Sequence, residues 1–482
     1  MKPSRIRTTF FIGLAGALVP LAYAGPGGAA IRDCPARKVD ARALEARLAD
    51  GLPAVKQGYT IVGDLHVPAA ANAPLALRSS CLRGDLVGAN ASFSHVVDLT
   101  DSVIKGRVDF DGARFNAPLT FERAEIDGPA SFALAVFDEA AHFDPTFFQT
   151  SADFSGSEFH GSSSFSGASW AGLADFSGTR FERRANFAAA GFNATRSDEP
   201  STDFSRATFD DGATFFLATV EGSASFLLAT SSGELSFQSI TVNGKNVPEG
   251  ENALYFSTVR LLGPVSFGGA ETHGRVSFDQ AEVTQLELAG ATLDGDLRLP
   301  VGPKSKGSLG ALTLNLDDAD RVVGPAGGDD RPAQEAALAL VESTARASDD
   351  LETANDARVK RLTIARHGRG PLGQGFDLSV NYGLWGYGVR PYHQLLAIAA
   401  VLLLAVGLRW GLRLRRRPTT GERVRGALAD TGESLRSLLR FNAPETPWAI
   451  SEYLVFKVLV VVFVLNAANV WPVSRDLIQG IF

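Results

Sequence analysis

The side chains that could carry out chemistry are few and scattered along the chain. Asp98, Asp101, Asp109 and Asp111 lie close together in sequence, and clustered carboxylates are the acid and base groups of enzymes that cleave carbohydrates. No basic partner recurs beside them. A carbohydrate-active site built on these aspartates is therefore one hypothesis for function.

Patterns that bind metals or cofactors are absent from the sequence. The histidines include His66, His95, His142, His160 and His273, and no two of them have metal-ligand spacing. The chain contains no phosphate-binding loop, dinucleotide fingerprint or nucleophile elbow. We therefore expect no metal, no cofactor and no catalytic residues of these kinds.

The first 24 residues have the pattern of an export signal. Lys2, Arg5 and Arg7 precede a short apolar run, and Ala22-Tyr23-Ala24 forms a small-x-small cleavage site. An uncleaved N-terminal anchor is the alternative. Cys34 and Cys81, which follow the signal, would then lie in an oxidising compartment and could form a disulfide bond. Two free buried thiols are the alternative for this pair.

The C-terminal part of the chain predicts two transmembrane helices, at 391–412 and 449–472. Each segment is close to the 20 residues that cross a bilayer and has aromatic residues at its ends; for the first, a buried helix is the alternative. The loop 413–448 between them is rich in arginine, which favours the cytoplasmic side. The topology rests on Arg409, Arg413, Arg415, Arg416 and Arg417. The tail 473–482 would then lie outside.

Phenylalanine recurs at alternating spacings of five and six residues, and a small residue lies two positions before most of these phenylalanines. Ile126 and Trp170 take the place of phenylalanine at two positions of this repeat. A period of five or six fits neither an α-helix nor an amphipathic strand, so it predicts a solenoid whose core is a ladder of large side chains. The predicted ladder is Phe110, Phe115, Phe121, Phe132, Phe137, Phe143, Phe148, Phe154, Phe159, Phe165, Trp170, Phe176, Phe181, Phe187 and Phe192.

Segments such as Ala152-Asp153-Phe154-Ser155-Gly156 resemble the repeats of the pentapeptide-repeat family. The resemblance implies a right-handed, four-sided β-helix with one pentapeptide on each side. The additional residue in every second repeat implies coils of about 22 residues, about nine of them between residues 82 and 299. We expect a bulge at a corner of the coil, where Gly156, Gly167 and Gly178 would adopt unusual dihedral angles.

The repeat region is flanked by different segments. Residues 25–81 are expected to cap its first edge and to include a short helix from Ala41 to Asp50. Residues 300–332 are rich in glycine and proline and predict a linker. A helical juxtamembrane segment at 333–390 follows, with helix from about Pro332 to Arg366 and a cap at Ser348 to Asp350. This segment resembles membrane-anchored members of the family.

Charge is distributed unevenly between the two parts of the chain. Residues 25–390 carry a net charge of −15, whereas residues 391–482 carry +5. Some members of this family are acidic rods that mimic DNA, but an export signal would separate this rod from cytoplasmic DNA, so we expect no nucleic-acid partner. Asn466 and Asn469 share a face of the second predicted span, where they would either support a homo-oligomer or lie at the membrane interface.

The leading hypothesis from the sequence is a non-enzymatic protein of the cytoplasmic (inner) membrane with its large N-terminal domain in the periplasm. The domain would act as a scaffold or spacer for an unidentified envelope or membrane protein, and two helices would hold it in the lipid bilayer. An accessory subunit of a membrane channel or transporter is the first alternative. The carbohydrate-active β-helix is the second.

Overall fold

The computed structural model describes residues 33–194, 200–244, 252–302, 305–324 and 330–367, and residue 374. Its main body is a stack of parallel strands in which each strand pairs with the strand one coil later. Phe115 pairs with Phe137 and Ile126 with Phe148, so one coil contains 22 residues. The predicted β-solenoid and its coil length are therefore confirmed. Its right-handed winding stays a prediction.

Each coil has four short strands, which form four faces that we number in the order the chain visits them. Face 1 comprises β1 (Lys38–Asp40), β3 (Thr60–Val62), β7 (Cys81–Leu82), β11 (Val103–Ile104), β15 (Glu125–Ile126), β19 (Phe147–Phe148), β23 (Ser169–Trp170), β27 (Gly191–Phe192), β31 (Thr219–Val220), β35 (Thr241–Val242), β38 (Glu271–His273) and β41 (Thr292–Asp294). Face 2 comprises β4 (Leu65–His66), β8 (Leu86–Val87), β12 (Val108–Asp109), β16 (Ala130–Ser131), β20 (Ala152–Asp153), β24 (Ala174–Asp175), β28 (Thr202–Asp203), β32 (Ala224–Ser225), β36 (Asn252–Tyr255), β39 (Arg275–Ser277) and β42 (Leu297–Arg298).

Faces 3 and 4 complete the coil and merge at its C-terminal end. Face 3 comprises β5 (Ala70–Ala71), β9 (Ser92–Phe93), β13 (Arg114–Phe115), β17 (Val136–Phe137), β21 (Glu158–Phe159), β25 (Arg180–Phe181), β29 (Thr208–Phe209) and β33 (Thr230–Ser231). Face 4 comprises β2 (Ala54–Gln57), β6 (Leu75–Arg78), β10 (Val97–Asp98), β14 (Leu119–Thr120), β18 (Ala141–His142), β22 (Ser163–Ser164), β26 (Ala185–Asn186), β30 (Ala213–Thr214) and β34 (Leu235–Ser236). Three longer strands, β37 (Arg260–Ser266), β40 (Glu282–Glu287) and β43 (Ser308–Thr313), run across both faces.

The solenoid is longer than the sequence predicted. Parallel pairing begins at Lys38 and continues to Thr313, which gives about 12 coils instead of nine. The predicted boundaries at residues 82 and 299 are therefore too narrow on both sides. The phenylalanine repeat does not extend to the outer coils, because aliphatic side chains such as Ile61 and Leu312, both buried in the core, take the place of phenylalanine there.

The core is a set of stacked rings. Each of the fifteen ladder residues predicted from the sequence is at most 2% exposed. Rings one coil apart lie face to face, as for Phe154 and Phe176, whose centroids are 4.9 Å apart. Rings from faces 2 and 4 meet edge to face across the interior, as for Phe143 and Phe154 at 5.3 Å. Both arrangements are favourable for aromatic rings beyond the burial of their area.

The corners of the coil differ from the expected bulge. Gly156, Gly167 and Gly178 have positive φ angles of 64° to 67°. Each of them lies between two core residues that are five apart in sequence, in a tight turn where the amide of residue i+3 donates a hydrogen bond to the carbonyl of residue i. The additional residue of the six-residue interval lies at the next corner. There a Cβ on Gly161 would be 2.3 Å from the carbonyl carbon of Glu139, so this glycine allows close approach of successive coils.

Helices cover both ends of the solenoid. At the N-terminal end, α1 (Ala41–Ala49) begins where the Asp40 side chain accepts a hydrogen bond from the amide of Arg42, and it buries Leu44 and Leu48 in the core. At the C-terminal end, a 3₁₀ helix (Leu316–Arg321) leads to α2 (Arg331–Ala347) and α3 (Leu351–His367). Such covers protect the open edges of a parallel stack.

The C-terminal helices coincide with the helix expected from Pro332 to Arg366. Asp350 separates α2 from α3, and its carboxylate accepts a hydrogen bond from the amide of Thr353 at 3.1 Å. Leu338 and Val341 of α2 join the solenoid core. The hydroxyl of Thr344 accepts a hydrogen bond from the amide of Leu312 in β43, so α2 closes the last coil.

Several predicted features lie outside the described residues. They are the export signal at 1–24, the juxtamembrane segment beyond residue 367 apart from residue 374, the transmembrane helices at 391–412 and 449–472, the arginine-rich loop 413–448 between them, and the tail 473–482. Within residues 33–367, apart from the gaps given above, no helix is long and apolar enough to span a bilayer.

Candidate interaction surfaces

The four aspartates singled out in the sequence do not form one site. Asp98 is buried on face 4 and pairs with Arg78. Burial raises the pKa of Asp98, but hydrogen bonds from Thr100 and Arg78 outweigh this effect and hold the pKa below its ordinary value.

The other three aspartates lie at separate places. Asp101 is at the corner between faces 4 and 1, where it binds Arg123 at 2.8 Å. Asp109 and Asp111 are on face 2 and its following corner, with face 1 between them and Asp98. Among the described residues, no group of three or more histidine, cysteine or acidic side chains is arranged to hold a metal ion.

Face 3 carries a network of alternating charges that crosses several coils. Arg114 contacts Asp138 at 2.7 Å, and the same carboxylate oxygen is 3.0 Å from a ring nitrogen of His160. The other ring nitrogen of His160 lies 3.2 Å from Glu158 and 3.9 Å from Glu182. Partial burial lowers the pKa of His160, but the three carboxylates outweigh it and raise that pKa above its ordinary value.

The network continues toward the C-terminal coils. Arg180 binds Asp210 at 2.8 Å, and Arg184 binds Glu234 at 2.9 Å at the corner between faces 3 and 4. All of these side chains are partly exposed, so each pair contributes little to stability. Their regular placement gives face 3 a fixed charge pattern that an approaching partner would meet.

Face 2 carries a ladder of aspartates. Asp153, Asp175 and Asp203 occupy the same position in three successive strands. The carboxylate of each accepts a hydrogen bond from the amide two residues later, at 2.7 to 2.8 Å. Burial is the main cause that raises the pKa of Asp175, and the charges of its two neighbours add to it.

The corner between faces 4 and 1 has a different character. Across five successive coils its turns contain no charged residue, and we call these positions the uncharged edge. They are Ser166-Gly167, Ala188-Ala189, Phe216-Leu217, Gln238-Ser239 and Gly268-Gly269. Phe216 and Leu217 are 44% and 49% exposed. The adjoining outward positions of face 4 are also uncharged, namely Ser164, Asn186, Thr214, Ser236 and Ser266.

The two cysteines of the chain form a disulfide bond. Cys34 precedes the first strand, and Cys81 lies in β7, the third strand of face 1. The bond ties the N-terminal segment to the coil beneath the cap. It closes the segment that includes α1, and so holds the cover against the end of the solenoid.

The sequence predicts that function lies on the outward positions, but it does not show which of these positions form a surface. Their spacing could have shown it, because residues 22 apart in sequence occupy the same position in successive strands of one face. Asp153 and Asp175 have this spacing, as do Glu158 and Arg180. The interruptions near 195–199 and 245–251 hide the same register in the following coils, so Asp203 and Asp210 did not align by simple counting.

Comparison with known proteins agrees with this geometry. Residues 89–136, 121–169 and 143–191 match the family profile for pentapeptide repeats in nine copies. No curated protein and no solved structure shows a significant match to the chain. The profile match and the small-x-Phe pattern on a four-sided coil together show that residues 89–191 consist of pentapeptide repeats.

Proposed function

We propose that this chain is a non-enzymatic interaction scaffold, held in the cytoplasmic membrane by two C-terminal helices, whose β-solenoid binds an envelope or membrane protein outside the cytoplasm. The observation that carries the proposal is that helices of the chain itself cover both ends of the solenoid. The lateral faces are therefore the extended regular surfaces that remain for a partner.

Face 3 is the best-suited of these faces for a protein partner. Its acidic and basic side chains alternate at distances fixed by the strand register, from Arg114 to Asp210. Complementary charge patterns of this kind contribute specificity and association rate more than affinity. A partner that presents the opposite pattern would be selected against competitors of uniform charge.

Membrane attachment is supported by the sequence. The export signal at 1–24 and the arginine-rich loop at 413–448 are independent features, and both put the solenoid on the outer side. A reporter that fluoresces only in the cytoplasm tests this topology. Fused after Phe482 it is expected to stay dark, and inserted after Arg425 it is expected to be bright. The reverse pattern would contradict the proposed orientation.

Photocrosslinking in cells tests the scaffold role. A photoreactive amino acid is placed at one outward position of each face, namely Ser169, Asp175, Arg180 and Asn186 on faces 1 to 4. The expected result is one discrete adduct with an envelope protein other than this chain, from Arg180 and not from the other positions. A face-specific adduct with a polytopic channel or transporter would favour the accessory-subunit hypothesis. Failure of all four positions to capture a protein would refute the scaffold.

A further inference from the structure

The uncharged edge has an exposed apolar centre with smaller side chains on the coil before it. Phe216 and Leu217 are 44% and 49% exposed, whereas Ala188 and Ala189 on the preceding coil present only methyl groups. The amide of Ala189 donates to the carbonyl of Phe216 at 2.7 Å, and the amide of Leu217 donates to that of Gln238 at 3.1 Å. The large and small pairs therefore stand on adjacent levels, about 4.8 Å apart.

The surface formed by the large pair and the small pair is complementary in shape to a second copy of itself. A two-fold axis perpendicular to the solenoid, passing midway between the levels of Ala188 and Phe216, would place Phe216 and Leu217 of each copy against Ala188 and Ala189 of the other. The same axis would bring Ser166 opposite Gln238. A surface that meets its own copy in this way forms a closed two-fold dimer.

We propose that the solenoid pairs with a second copy of this chain through the uncharged edge and face 4, in antiparallel orientation. Charge restricts where two copies can meet. Residues 25–390 carry a net charge of −15, so two copies repel each other at most surfaces, and like charges brought together at an interface are costly. The uncharged edge allows contact without that repulsion.

The opposite corner, between faces 2 and 3, is a poorer candidate. Leu227 and Leu228 are each 41% exposed there, but Arg206 occupies the corresponding turn of the preceding coil. Two copies joined at this corner would bury that charge. This corner supplies a matched control for substitutions at the uncharged edge.

The available area predicts a weak dimer. Five levels at about 4.8 Å span roughly 24 Å, and the edge with face 4 is about 20 Å wide, so each copy would bury on the order of 500 Å². Stable interfaces bury about 800 Å² per partner. We therefore expect association that depends on concentration and is assisted by confinement to a membrane.

The antiparallel arrangement is compatible with the membrane attachment proposed above. It places the C-terminal ends of the two solenoids at opposite ends of the dimer. As a helix, the 23 residues between His367 and the predicted span at 391 reach about 35 Å. When the solenoid axes lie along the bilayer surface, each linker needs only to reach down to that bilayer, so both copies can attach to it.

Cysteine crosslinking in membranes of the full chain tests the register. The two native cysteines are bonded to each other, so an introduced cysteine supplies the reactive thiol. Cells express two tagged copies, one with Ser166→Cys and the other with Gln238→Cys. The mixed pair is expected to crosslink, whereas each variant alone is not, because identical positions are about 14 Å apart across the axis.

Two outcomes would overturn the proposal. Crosslinking by Ser166→Cys alone would indicate a parallel pair, and no crosslinking of the mixed pair would indicate that the edge does not associate. Adding Phe216→Lys to both copies is expected to lower the crosslinked yield about tenfold, as for loss of a central anchor. The matched control Leu227→Lys is expected to leave the yield unchanged.

Discussion

Replacing Phe165 by alanine should reveal how much one ring of the core contributes to the solenoid. Phe165 is fully buried and lies between Phe143 and Phe187, with both centroid distances 4.9 Å. It also meets Phe154 and Phe176 edge to face at 5.4 and 5.2 Å. No smaller side chain can restore these contacts, because the strand register fixes the positions of the neighbouring rings.

The expected cost is in the upper part of the range for a buried phenylalanine. Such truncations lower the free energy of unfolding by about 3–5 kcal/mol, and the cost rises with the cavity that remains. The stacked levels resist collapse, so we expect about 4–5 kcal/mol for Phe165→Ala. Phe165→Leu keeps most of the volume and is expected to cost about 1–2 kcal/mol.

Urea unfolding followed by far-ultraviolet circular dichroism measures this difference on the detergent-solubilised chain. Phe147→Ala is the matched control, since it removes the same ring from a partly exposed outward position on face 1 and is expected to cost less than about 1 kcal/mol. Equal effects of Phe165→Ala and Phe147→Ala would refute the assignment of the ring ladder as the core. If one half of the solenoid unfolded at a lower urea concentration than the other half, the lost ring would also have broken the cooperativity between coils.

Three further predictions concern the cap, the corners and the charged face. Replacing Cys34 and Cys81 by serine opens a 47-residue separation and is expected to lower the free energy of unfolding by about 3–4 kcal/mol, whereas the same substitutions under reducing conditions should have little effect. Gly161→Ala is expected to lower the melting temperature more than Gly178→Ala, because a Cβ at 161 meets backbone at 2.3 Å while the nearest atom at 178 is at 3.8 Å. The raised pKa of His160 means that its stabilising contribution is complete below its ordinary pKa and is lost as the pH rises through the raised value. Melts of His160→Gln should therefore lack the loss of stability that the native chain shows above about pH 6.5; an unchanged pH profile would contradict the role of its three carboxylate partners.

The inward half of the fold could be predicted from the sequence because its physical requirement is simple. Each level needs large apolar side chains at fixed positions, and the spacing from Phe110 to Phe192 records that need directly. The outer coils were missed because Ile61 and Leu312 meet the same need without phenylalanine. Aliphatic side chains at these positions cannot be distinguished in sequence from those of an ordinary strand.

The corners and surfaces could be predicted only in part. Gly156 and Gly161 look equivalent in sequence, yet the first has a positive φ angle and the second allows close backbone approach. A positive φ angle and a close backbone approach both require glycine, so the presence of glycine in the sequence does not show which of the two applies. The register of outward side chains also depends on where each insertion leaves the coil, which the spacing of the ring ladder does not specify.

The two sides of the solenoid should respond differently to salt, and this difference separates the two kinds of binding proposed for them. Contacts to face 3 would depend on exposed charges such as Arg114 and Asp138, which are screened when the Debye length falls to about 3 Å at 1 M salt. Contacts through Phe216 and Leu217 involve no charge and should persist or strengthen under those conditions. A partner captured from Arg180 is therefore expected to be lost at high salt while the crosslink between copies remains. Loss of both together would mean that pairing of the two copies depends on the partner bound at face 3, and it would contradict pairing through the uncharged edge alone.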